Sequence, residues 1–207
     1  MKYQVAKPSD AEEIICLLAT VFSELEPPAV AMGLSARDFE IFLRLFAPTV
    51  IADELTIVAR SADTGKLAGA LLTDDFGLPP TLDVTRMSPK FLPILSMLET
   101  LDEQLRRGKT ISPGEYLHLF MLAVDAQFAG RGIAQDMVAA CLDNGRPKGY
   151  RAALTEATGK ISQRVFRKQG FADRFSVAYS DFRYEDKLVF ASIQEHERAI
   201  LMDRLVL

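Results

Sequence analysis

The sequence predicts an α/β fold: a mixed central sheet of about six to seven strands with helices on both faces. Three observations lead there. Apolar runs of strand length alternate with stretches of helical periodicity along most of the chain. "LTIVARS" and "KLAGALLTDDF" flank the turn signal "ADTG", which makes a hairpin. The apolar run "YLHLFMLAV" (Tyr116 to Val124) passes through a pair of glycines into a helical pattern, and a further strand, "YRAALTEAT", follows. Together with the hairpin, that order of strands and helices makes an α/β sandwich with a mixed sheet.

The elements follow in order. Lys2 to Ala6 reads as a short opening strand. Lys7-Pro8-Ser9-Asp10 suits the first turn of a helix, and Ile14, Leu17, Leu18, Val21 and Phe22 give that helix one apolar face. Pro27 and Pro28 break the pattern. Ser35 is a capping residue for a second helix with Phe39, Phe42, Leu43 and Phe46 inward. After the hairpin, Ser88-Pro89 introduces a helix over Phe91 to Gly108. "ISPG" breaks to the strand Tyr116 to Val124, and Asn144-Gly145 marks the stop of the helix after the glycine pair. Ile161 to Gln169 is a short helix ended by Gly170. "SVAYSDF", "LVFASI" and "AILMDRLVL" read as closing strands, the last two able to pair within the chain or across a dimer. No boundary interrupts residues 1–207, so one domain is expected.

Composition narrows the function. The chain has 207 residues, a net charge of −4 and 49% hydrophobic residues. Acidity argues against a nucleic-acid partner, which would want a basic face. No segment reaches the roughly 18 apolar residues of a membrane span, and the amino-terminal stretch lacks an apolar signal core, so a cytoplasmic protein is expected. Cys16 and Cys141 lie far apart, each within an apolar helical pattern, and suggest neither a metal nor a disulfide framework.

The chemistry concentrates at "LAVDAQFAGRGIAQD" (Leu122 to Asp136). Glycines at a strand-to-helix joint let the backbone approach another group closely. The first helical turn offers unpaired amides and the positive end of the helix dipole, a seat for an anion. A P-loop string is absent, and the dinucleotide spacing fails because Gln135 stands where its third glycine belongs. A coenzyme A diphosphate loop remains, beside a tight turn that binds nothing.

The surroundings resemble the GNAT superfamily of N-acetyltransferases. Its acetyl-CoA motif is V-x-x-x-x-[RQ]-G-x-G-[IVL]-[GA]; Val124, Gly130, Gly132, Ile133 and Ala134 fall on its positions, and Ala129 replaces the usual Arg or Gln. "ATGKISQRVFRKQGF" resembles the second motif, N/S-x-x-x-x-[YF]-x-x-x-G-F, through Ser162, Phe166, Gly170 and Phe171. The resemblance implies a GNAT fold with a splayed parallel pair and acetyl-CoA as cofactor. It places Leu122, Ala123, Val124, Gln127, Gly130, Arg131, Gly132, Ile133, Ala134, Ser162 and Phe166 against the coenzyme. "VFSELEPPAVAMGLS" and "HLFMLAV" resemble the arylalkylamine branch, which includes the insect dopamine and vertebrate serotonin N-acetyltransferases.

That branch implies acetyl transfer to a primary amine of a small molecule, an arylalkylamine by resemblance. The alternatives are an amine on a protein or peptide, or a non-catalytic acyl-CoA-binding module. The transfer needs a base, because an ammonium has no lone pair for attack. The resemblance nominates Glu26, against a solvated carboxylate ahead of a Pro-Pro turn. His118 is the second candidate; strand alternation puts it on one face with Phe120 and Leu122. Ser162 is a cofactor contact or a helix cap. Tyr179 is a candidate acid. Met32, Phe39 and Phe42 line an acceptor pocket or belong to the core. Asp74 and Asp75 close the hairpin strand, where either could hold a cationic amine, against a solvated strand end, and His196 reads as structural. A monomer or a homodimer suits the sequence equally.

Overall fold

The structure, a computed structural model, describes residues 1–206. Its nine strands and seven α-helices begin with β1 (Lys2–Val5), α1 (Ala11–Leu25), α2 (Pro27–Met32), α3 (Ala36–Arg44) and α4 (Ala47–Ala52). The hairpin β2 (Ile57–Arg60) and β3 (Leu67–Asp75) is followed by α5 (Leu92–Arg106), β4 (Tyr116–Val124), α6 (Ile133–Gly145) and β5 (Ala152–Ala157). Then come α7 (Lys160–Lys168), β6 (Ala172–Ala178), the two-residue strands β7 (Arg183–Tyr184) and β8 (Lys187–Leu188), and β9 (Arg198–Leu205).

Seven strands form one sheet in the order β1-β2-β3-β4-β5-β9-β6. Every neighbour pairs antiparallel except β4 and β5, which run parallel. One face carries α1, α3, α4 and α5 over a core that includes Ile14, Leu18, Phe42, Phe46, Leu72 and Leu101. The other carries α6 and α7 over Leu117, Leu119, Met137, Cys141, Phe166 and Met202. Each such side chain contributes about 1.5–3 kcal/mol by leaving water, so the two apolar layers fix the helices on the sheet.

Two irregularities shape the centre. The parallel pairing of β4 with β5 runs from Tyr116↔Ala152 to His118↔Leu154 and then stops, although both strands continue. Beyond His118 the strands splay. A bulge also interrupts β4: Leu72 pairs with Met121 but Thr73 pairs with Leu119, leaving Phe120 as the extra residue. The bulge overturns the simple alternation expected from sequence. His118 and Phe120 remain neighbours, ring centroids 5.2 Å apart. Past the bulge, Met121 and Ala123 join the α1 face and Leu122 turns to the α6 face.

Other expectations change as well. Pro27 and Pro28 break α1 but start α2, where they occupy positions that need no amide donor. "LVFASI" does not form a sheet strand; apart from Leu188 in the short β8, it is a loop in which Phe190 is buried against Tyr179 and Phe182. β9, within "AILMDRLVL", lies between β5 and β6 with both edges paired inside the chain; Leu207 lies outside the described residues. Asp74 is no solvated strand end, being 5% exposed. Asp75 receives the Gly77 and Gly114 amides and the Tyr150 hydroxyl.

Candidate active site

The glycine joint lies at the open end of the splay. Gly130 and Gly132 both have φ +76°, a left-handed conformation that costs an L side chain roughly 1–2 kcal/mol. A Cβ on Gly130 would meet nothing within 4 Å, so no protein group packs over that position. Gly132 occupies the cap of α6 without a side chain to satisfy the first-turn amides. The helix closes its first bond only at Asp136, which donates to Gly132, so the amides of Ile133, Ala134 and Gln135 stay available to an outside acceptor. Lys66 braces the loop, reaching Asp125 at 3.1 Å and Gln127 at 2.9 Å. Arg131 is exposed, its guanidinium 5.5 Å from the Phe128 ring centroid.

These features fit a diphosphate with an extended arm. The amides and Arg131 offer positive charge for the diphosphate. The edge of Leu122 to Val124 turned away from β3 has no strand partner beyond His118, so it offers hydrogen bonds to a chain laid alongside it. Ala129 withholds a side chain from this seat but leaves the amides intact. Two predicted contacts turn elsewhere. The Ser162 hydroxyl donates back to the Gly159 carbonyl at 2.9 Å and closes the first turn of α7. Phe166 is 2% exposed and packs edge-on against Phe171, holding α7 to the sheet.

Glu26 lies beside Thr158, the residue that follows β5. It caps α2, its carboxylate accepting from the Ala29 amide at 2.5 Å. The buried Tyr179 donates its hydroxyl to the Thr158 carbonyl at 2.6 Å. Burial pushes the Glu26 carboxyl up to about 7, against the pull of the Thr158 side chain and the Ala29 amide. A carboxyl poised there can take a proton near neutral pH. Burial first, and the neighbouring Glu26 charge second, drive the Tyr179 hydroxyl far above its usual value and hold it neutral.

His118 is enclosed. Its Nδ1 lies 2.8 Å from Asp74 and its Nε2 2.8 Å from Glu156, with Asp74 on β3 and Glu156 on β5. Burial opposes charge on the ring, but the Glu156 and Asp74 carboxylates outweigh it and hold the imidazolium well above its usual pKa. Asp102 of α5 joins the group beside Glu156; burial, reinforced by the Glu156 charge, pushes it up to about 8. Sequence reading singled out His118 and missed its partners. The signals were there: Glu156 is the one charged residue of "AALTEA", and Asp102 follows Leu98 by one turn of α5.

Phe39 and Phe42 are core residues, Phe39 packed edge-on against Phe91 and Phe42 stacked on it. His196 accepts from the Lys160 amide at 3.1 Å and steadies the start of α7.

A splayed parallel pair with a glycine-lined helix start at its mouth is the arrangement that the sequence resemblance implied. The sequence pattern of the Acetyltransferase (GNAT) family matches residues 34–171, and the chain belongs to that family. Among solved structures, the C-terminal condensation domain of Ebony in complex with beta-alanyl-dopamine superposes with a TM-score of 0.90 at 17% identity, over 99% of this chain and 98% of that one. Arylalkylamine N-acetyltransferase 2 from Aedes aegypti gives 0.82 at 21%, over 100% and 99%. The Drosophila melanogaster polyamine N-acetyltransferase, which forms N-acetylagmatine, gives 0.74 at 18%, over 99% and 99%. At such identities the likeness is one of fold.

Proposed function

We propose that this chain transfers an acetyl group from acetyl-CoA to a primary amine of a small molecule, with Glu26 as the base. The observation that carries the reading is the half-buried Glu26 carboxyl beside Thr158, at the end of a strand of the splayed pair, raised to about 7. The amides of Ile133, Ala134 and Gln135, with Arg131, would hold the diphosphate, and the backbone of Leu122 to Val124 the pantetheine arm. When bound, acetyl-CoA supplies a thioester carbonyl to an incoming amine.

The residues of the chain do the remainder. Glu26, ionised, draws a proton from the acceptor ammonium and frees its lone pair. Thr158 and the Ala29 amide steady the carboxylate for that step. His118, already protonated between two carboxylates, has no site to accept a proton. A thiolate leaving group needs no strong acid, since its pKa is about 8.5 in a free cysteine. Membership of the family and the small amines named for several structural neighbours support this reading.

Thiol release from acetyl-CoA across an amine panel tests it. Glu26→Gln should lower kcat/KM by about 10²–10³, and the wild-type rate should rise with pH through about 7 as Glu26 ionises. Tight coenzyme binding without turnover on any amine would overturn the enzyme reading in favour of a binding module.

A further inference from the structure

We propose that Asp102 is a positioning residue for the transfer: it carries a proton in the folded protein, donates it to Glu156, and through the bond from His118 to Glu156 holds the splayed end of β5 at a set distance from β4. The inference rests on the reading of Glu26 as the base, because Thr158, which steadies Glu26, follows directly from that end of β5.

Side chains take over where the backbone ladder stops. The last paired residues of β4 and β5 are His118 and Leu154. One step on, Thr155 donates its hydroxyl to the Leu119 carbonyl at 2.9 Å. The next residue, Glu156, accepts from His118 Nε2 at 2.8 Å, and Nδ1 of the same ring lies 2.8 Å from Asp74 on β3. Both bridges are buried: Thr155 is 2% exposed and the Glu156 side chain 4%. Among the described residues no backbone bond joins the two strands beyond this point, so these side chains set the width of the gap. Thr158 lies two residues past Glu156, roughly 7 Å along the chain. A shift of Glu156 is therefore carried to Thr158 and to the Glu26 carboxyl beside it.

A proton between Asp102 and Glu156 follows from the bonding. Glu156 Oε1 and Asp102 Oδ1 are buried and meet no donor among the described residues, yet the two carboxyls lie within hydrogen-bonding reach of one another. Two ionised carboxylates so placed repel, and one shared proton turns the contact into a strong bond. Asp102 is the holder. Burial raises Glu156, but the His118 charge outweighs it and keeps that carboxyl below its usual value. Asp102 forms no ion pair among the described residues. Arg106, one turn along α5, is engaged with Phe76, donating to its carbonyl at 3.0 Å and lying 4.2 Å over its ring. On β6 and β9, which also pack against α5, Arg174 and Asp203 pair with each other at 2.6 Å. Burial first, and the Glu156 charge second, keep the Asp102 proton in place to about 8. Its loss sets a second charge against Glu156 and weakens the bond that spans the gap.

NMR of isotope-labelled aspartate carboxyls tests the proton directly: one aspartate should titrate near 8 in wild type, and Asp102→Asn should remove that titration. Stability gives the same answer with a definite sign. The folded pKa of Asp102 lies above its unfolded value of about 3.9, so its contribution is full below that value and is lost as pH rises through the folded one. Asp102→Asn has no such proton to lose. Its folding equilibrium constant should gain on wild type by about tenfold per pH unit from mild acid to neutrality and level off above about 8.

Position is read separately. Asp102→Leu leaves Glu156 Oε1 without a donor; a thermal melt checks that it folds, and if it does not, the Asn variant and the wild-type titration decide. In Asp102→Leu the Glu26 carboxyl, followed on labelled glutamates, should titrate above about 7, having lost the Thr158 bond that pulls it down. With the best amine at saturation, kcat should fall about tenfold or more while the Kd of CoA stays unchanged. Wild-type kcat should decline above about 8, and Asp102→Asn, whose amide donates to Glu156 at every pH, should keep the neutral rate and lose that decline. No aspartate titrating near 8, parallel stability curves, an unmoved Glu26 titration, or an alkaline decline that survives Asp102→Asn would each overturn the proposal. If no amine is acetylated, the reading of Glu26 as the base fails, and the two titrations still decide whether Asp102 holds β5 in place.

Discussion

Single residues carry the electrostatics of this protein. Glu26 and His118 are both ionisable groups close to the splay, yet their surroundings push them to opposite duties. Glu26 has one neighbouring hydroxyl and one amide and is raised by burial to about 7. His118 has a carboxylate on each nitrogen and stays charged. The consequence for stability has a definite sign. A histidine whose folded pKa exceeds its unfolded value of about 6.5 stabilises the fold fully below that unfolded value. The contribution is lost as pH rises through the folded pKa. Chemical denaturation of wild type and His118→Gln should therefore differ most at pH 6 and converge at alkaline pH. Near neutrality the difference should be on the order of 3–5 kcal/mol, because the substitution leaves Asp74 and Glu156 buried without their cation.

At the scale of elements, the joint between β4 and α6 is decided by backbone conformation. Gly132 has φ +76° and caps α6 without a side chain. Gly132→Ala should cost about 1–2 kcal/mol from the left-handed conformation alone and should weaken CoA binding, as read by calorimetry. The glycine pair was legible in the sequence because glycine takes that conformation without the steric cost of a side chain. The helix of Pro27 and Pro28 was not, because two prolines read equally as a break and as a first turn. The bulge at Phe120 left no mark at all. An extra residue in β4 is defined only by the register of β3 beside it, so alternation placed Leu122 with His118 when it belongs to the opposite face.

At the scale of the molecule, the sheet is continuous except at the splay. Adding CoA should fill that gap and slow amide exchange at Leu122 and Val124, whose amides turn away from β3, while β3 and β9, already paired on both edges, change little. At a hundred times its Kd the coenzyme should stabilise the fold by about 2.7 kcal/mol, visible as a rise in Tm. The same whole-molecule view explains the carboxyl cluster. Asp74, Asp102, His118 and Glu156 come from β3, α5, β4 and β5. No local pattern links them, and only the stacking of α5 on the sheet brings them within hydrogen-bonding reach.

The sequence by itself determined the α/β class, most of the element order and the glycine joint, while Glu26 was nominated only through the family resemblance. The first three rest on local chemistry: periodicity of apolar residues, residues that open or end helices, and short motifs read in register. The tertiary structure alone decided that β4 bulges, that β9 sits inside the sheet, that Asp74 is buried, and that His118 is clasped between two acids. Those outcomes depend on which distant segments meet, and burial turns such meetings into large electrostatic effects that no stretch of sequence contains.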